Sequence, residues 1–102
     1  MTFQTDYSQF PPEIRARMQT AEFGLKVVEF TNTEIGVFLL ERASQEREQA
    51  LETLAEVNAA DADAVRELQL IVRRCDSFRQ WLESAVINGE NAETELRIDS
   101  EG

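Results

Sequence analysis

Apolar and small residues recur at steps of four and three from Asp61 to about Ile98, at Ala64, Leu68, Ile71, Cys75, Phe78, Leu82, Ala85, Gly89, Ala92 and Leu96. That spacing places all ten on one stripe of a long amphipathic helix. Val65, Val72, Trp81 and Val86 flank the stripe and widen it, so the helix is expected to meet more than one neighbour. As one helix, 61–98 would span about 57 Å, against about 40 Å for the preceding apolar-periodic stretch 31–57.

The 31–57 stretch has its own seam at Gly36, Leu40, Ala43, Arg47, Ala50, Leu54 and Val57. Thr31 and Glu34 fit a capping box at its start, with Phe30 placed to staple onto Ile35. Asn58 suits a C-terminal stop, and Asp61 suits the next N-cap, with Asp63 in the first turn. So short a link makes the two helices antiparallel neighbours. The register then sets Val57 against Ala64, Leu54 against Leu68, Ala50 against Ile71, Ala43 against Phe78, Leu40 against Leu82 and Gly36 against Ala85. Small residues repeatedly oppose large ones, which lets the two seams interdigitate. Arg47 is the misfit: it faces Cys75, and its stem is expected to pack while its head reaches Asp76 or solvent.

Upstream, Pro12 suits a first helical position, and Ile14, Met18, Ala21, Leu25 and Val28 repeat at four and three. Lys26–Phe30 has strand propensity, but a lone short strand lacks a partner, so 12–30 is expected to form a helix laid across the other two. The predicted fold is therefore all-α: an antiparallel helical hairpin (31–57 and 61–98) with a third, N-terminal helix (12–30). Asn88-Gly89 is expected to loosen the long helix without ending it. The chain divides into an N-terminal arm (1–12), a helical domain (13–97) and a polar tail (98–102) expected to be disordered.

The arm carries Phe3, Tyr7 and Phe10 ahead of Pro11-Pro12. Such an apolar arm either folds back over its own helices or docks on a neighbouring subunit. Trp81, one position off the seam, either buries against the 13–30 helix, the more ordinary outcome, or anchors a partner as exposed aromatics do. These four residues are the candidate interface.

Charge changes the picture in one respect. Twenty acidic residues against ten basic ones give the 102-residue chain a net charge of −10. Direct binding to nucleic acid or to an anionic membrane is disfavoured, because both would be repelled. A basic partner protein, or mimicry of a nucleic acid, is compatible with it. A charged, solvated surface is the plainer account. The acids concentrate at both ends of the hairpin sequence. Residues 33–60 hold six acids and two bases, and 89–102 hold five acids and one base. Between them stand Arg66, Arg73, Arg74 and Arg79, which the register brings near Glu48, Glu52 and Glu56 as surface ion pairs.

No catalytic constellation is apparent. Histidine is absent and Cys75 is the single cysteine, so a zinc site would need an improbable ligand set. Pairs such as Glu90 and Glu93 have no partner to perturb them, and there is no Gly-rich phosphate loop, CxxC or Ser–His pairing. No enzyme activity and no cofactor are expected. There is no signal peptide or apolar run long enough for a bilayer, and the lone cysteine fits a reducing, cytosolic site of synthesis.

Glu29-Phe30, Ile35-Gly36-Val37-Phe38-Leu39-Leu40-Glu41-Arg42-Ala43, Arg66-Glu67-Leu68-Gln69, Ser77-Phe78-Arg79-Gln80-Trp81-Leu82-Glu83 and Asn88-Gly89-Glu90 together resemble a family of small helical proteins of tailed bacteriophages. The resemblance covers roughly residues 20–96, and its motifs are helical rather than chemical. It implies a phage-encoded helical protein acting in virion assembly or DNA packaging, which places it in the host cytoplasm or the virion. Other phage proteins are then the expected partners, and the apolar content beyond the hairpin, the overlong helix and the aromatic arm point to a homo-oligomer. The acidic balance keeps a second expectation open, an inhibitor that occupies the basic surface of a host defence or DNA-processing protein.

Overall fold

The structure, a computed structural model, describes residues 8–101 and is all-α. Three helices follow in order: α1 (Pro12–Thr31), α2 (Glu34–Glu56) and α3 (Ala62–Glu101). They fall into two compact units, one built from 8–29 with 84–101 and one from 30–83. All ten seam positions of α3 are buried or half-buried.

In the second unit α2 and the first half of α3 run antiparallel, and the middle of the expected register is kept, whereas Gly36 meets the Phe30 carbonyl instead of Ala85, which lies against Gly24. Ala50 shares a groove with Leu68 and Ile71, while Leu40 and Ala43 enclose a small cavity with Cys75 and Phe78. Ala50 and Cys75 are buried, and Leu54, Val57, Phe78 and Leu82 are half-buried. Asp61 caps α3 as predicted, while α2 is closed by Val57, whose N–H donates to the Thr53 carbonyl at 2.9 Å, and the predicted stop Asn58 serves the turn instead. The Asp61 carboxylate accepts from Ala64 N–H at 3.1 Å, and Asn58 Oδ1 accepts from Ala60 N–H at 2.9 Å.

The start of α2 differs from the expectation. Its N-cap is Thr33, not Thr31, because α1 runs on to Thr31 and leaves only Asn32 and Thr33 to turn the chain. Thr33 Oγ1 accepts from Gly36 N–H at 3.0 Å and donates to the Phe30 carbonyl at 2.7 Å. The Thr33 N–H donates to the same carbonyl at 3.0 Å. One threonine therefore ends α1 and begins α2. Gly36 is essential to this turn, since a Cβ there would lie 1.8 Å from the Phe30 oxygen. The predicted staple is not made, as Ile35 is 67% exposed.

In the first unit α1 lies antiparallel along residues 84–101. It packs lengthwise on that stretch and is not laid across a hairpin as expected. Arg17 bridges Glu95 at 3.1 Å and also pairs with Asp99. Further along, the backbones meet at Gly24 and Gly89. A Cβ on Gly24 would come within 3.0 Å of both Gly89 Cα and the Ala85 carbonyl oxygen. This approach moves the seam of α1 round the helix, so that Gly24 and Val27 are buried while the predicted Leu25 and Val28 are 60% and 40% exposed. Val86 lines a small cavity with Ala21, Gly24 and Gly89, as a residue of the second face should. Pro12 opens α1 as predicted, and the Pro11 carbonyl accepts the first helical bond from Arg15 N–H at 2.9 Å. Asn88-Gly89 does not interrupt α3, and 98–101, expected to be disordered, continue its last turn, where Asp99 meets Arg17.

Candidate interaction surface

Four candidate interface residues came from the sequence. Phe3 and Tyr7 lie outside the described residues. Phe10 is half-buried immediately before Pro11 in the first unit. Trp81, in the second unit, is 70% exposed, which corrects the expectation that α1 would cover it. Its position on α3 explains this. Trp81 sits about 60° round the helix from Phe78, at roughly 100° per residue, and so clears the seam that α2 fills.

Trp81 has apolar company that the sequence reading did not single out. Ile35, Phe38 and Leu39 of α2 are 67%, 62% and 37% exposed. Ile35 and Leu39 make one stripe beside the seam, while Phe38, two residues from both Gly36 and Leu40, lies on the far side of α2 next to Ile35. The stripe continues down α2 through Arg42 and Glu46. Arg42 Nε bonds Glu46 at 3.2 Å, and Arg74 of α3 reaches the same carboxylate at 3.9 Å. Trp81 stands seven residues beyond Arg74 and therefore on the same face of α3. Ile35, Leu39 and Trp81 consequently share one edge of the α2/α3 pair. That edge is apolar near the Thr33 turn and becomes polar past Arg42. The signal that could have found it was present in Ile35, Phe38, Leu39 and Arg42, an i, i+3, i+4, i+7 set in competition with the stronger seam.

The seam's own polar misfit resolves as expected. Arg47 Nε bonds the Asp76 carboxylate at 2.6 Å, and the stem of Arg47 lines the cavity that holds Cys75. Cys75 is a free thiol, 6% exposed. Among the described residues no three His, Cys, Asp or Glu side chains are grouped to hold a metal ion, and no helix is long and apolar enough to cross a membrane. The arrangement offers an apolar edge with balanced charges along it, which is the chemistry of a protein–protein contact. Comparison with protein-family models, curated proteins and solved structures finds no match to this chain.

Proposed function

We propose that this is a non-enzymatic, phage-encoded helical protein that works as an oligomeric component of virion assembly or DNA packaging. The observation that carries the reading is the distribution of apolar side chains. Among the described residues twelve large hydrophobic side chains are exposed, against four apolar side chains that are buried. Antiparallel helix pairs of this kind cover one stripe per helix, and the remaining apolar surface needs another chain. The resemblance of its helical motifs to small tailed-phage proteins suggests the biological setting.

Sedimentation of the full chain at two concentrations tests the assembly. Association with concentration supports it, and a monomer throughout overturns it. Mass spectrometry of purified particles against infected-cell extract then separates a virion component from a factor that acts and leaves.

A net charge of −10 favours one other reading, an acidic inhibitor seated on the basic surface of a host DNA-processing or defence protein. Capture of such a protein that weakens steeply with added salt would promote that reading over the first.

A further inference from the structure

We infer that the edge formed by Ile35, Leu39 and Trp81, flanked by Phe38, is where a second copy of this chain docks. The inference rests on the assembly reading above and names its surface.

Three observations choose this edge and this occupant. The first is charge. Two copies of a chain carrying −10 repel one another, so a self-contact must use a face where charge balances. Along this edge Arg42 and Arg74 stand against Glu46 and Glu67, and Glu46 is already bridged by both arginines. An edge holding both signs can oppose its own copy without net repulsion, as an isologous contact requires. A basic partner would gain nothing here that the more acidic faces do not offer better.

The second is the kind of side chain exposed. Trp81, at 70%, is the residue type that anchors interfaces, Ile35 and Leu39 share its edge, and Phe38, at 62%, stands beside Ile35 at the rim. The opposite edge of the same helix pair exposes Val37 and Leu51, at 42% and 40%, and no aromatic side chain, beside the Arg47–Asp76 pair.

The third is area. An aromatic side chain buries about 150–250 Å². Ile35, Leu39 and Trp81 together therefore offer roughly 300 Å² per copy at their observed exposure, with Phe38 at the rim, less than half of a standard protein–protein contact's share. The stems of Arg42 and Arg74 extend it along the edge. A contact of this size gives a reversible dimer whose population follows concentration, not a permanent one.

Trp81 is the only tryptophan and so reports on its own burial. The experiment is sedimentation of the full chain over a concentration series, with tryptophan emission and acrylamide quenching read on the same samples. The wild type should dimerise as its emission shifts to the blue and quenching falls. Ile35→Glu should weaken the dimer by about 30-fold or more, as loss of a well-packed contact residue does. Leu51→Glu, on the opposite edge, should leave it unchanged. Each variant's helicity by circular dichroism shows that the fold survives, and both substituted residues are exposed. A dimer that forms with no change at Trp81, or that Ile35→Glu leaves intact, overturns this face while the assembly reading stands. A monomer at every concentration with an exposed tryptophan overturns both. A monomer whose tryptophan is shielded and is uncovered by deleting residues 1–7 assigns the edge to the chain's own arm and likewise overturns the inference.

Discussion

Gly36→Ala provides a sharp test of the turn between α1 and α2. On propensity alone the substitution should help, since alanine in a helix is worth up to about 1 kcal/mol over glycine. The structure predicts the reverse. The new Cβ would lie 1.8 Å from the Phe30 carbonyl oxygen and 2.7 Å from its carbon. A carbon–oxygen contact relaxes to roughly 3.3 Å, so the turn would have to open by about 1.5 Å. The obstructing atoms are backbone, and no rotamer change relieves them. Opening the turn strips the Phe30 carbonyl of its bonds from Thr33 N–H and Thr33 Oγ1 and parts the Thr33 hydroxyl from Gly36 N–H. Loss of such a cap costs about 1 kcal/mol, and each further bond about 0.5–1.5 kcal/mol. After the propensity gain is subtracted, a net loss of roughly 1–3 kcal/mol remains, or a fall in Tm of about 5–20 °C for a chain of this size. Thermal melts by circular dichroism read the effect. Gln45→Gly and Gln45→Ala, at an exposed site of the same helix, calibrate pure propensity. If Gly36→Ala melts at or above the wild type, the turn is not built as described here.

Other substitutions separate the remaining contacts. Gly89→Ala places a Cβ 2.9 Å from Gly24 Cα, so its urea midpoint should fall although its helix propensity rises. Asp61→Ala should lose about 1 kcal/mol with the cap of α3, and Asp61→Asn, which still accepts from Ala64 N–H, should retain most of it. Arg47→Met should cost less than about 1 kcal/mol, because the ion pair to Asp76 is some 40% exposed at each partner, whereas Arg47→Ala should cost more by emptying the space beside Cys75 and Phe78.

How much of this was legible in the sequence depends on whether the relevant physics is local. The α2/α3 register was, because Ala50 with Ile71 and Ala43 with Phe78 follow from two periodic seams and a short link. Asp61 was also legible, since a carboxylate before an apolar-periodic run has little else to satisfy. Thr33 was not. Thr31 with Glu34 matches the reciprocal capping pattern better, and what moved the cap was the length of α1. The seam of α1 was misread in its last turns for a related reason. Leu25 and Val28 are the more hydrophobic choices, yet Gly24 is buried because only glycine lets that backbone approach Gly89. Hydrophobicity ranks side chains, and here the contact was decided by the absence of one.

Trp81 marks the limit of periodic reasoning. A repeat fixes the angle at which a residue leaves its helix, and from that angle Trp81, Ile35 and Leu39 were all one step off their seams. It does not fix what stands opposite that angle. For residues on the seam the partner helix answers the question, and the expectation holds. Beside the seam the answer depends on whether the same chain or another one arrives, and a single sequence contains no term for the second. Sequences generally agree with their own fold at every level, so an aromatic cluster that the fold leaves in water is informative because it breaks that agreement. Leaving Trp81 at 70% exposure carries a cost in solubility with no gain in the stability of the isolated chain. Under the proposed assembly that cost is offset where a second chain covers the edge, and the exposure of Trp81 in the isolated chain is the quantity that the association experiment reads.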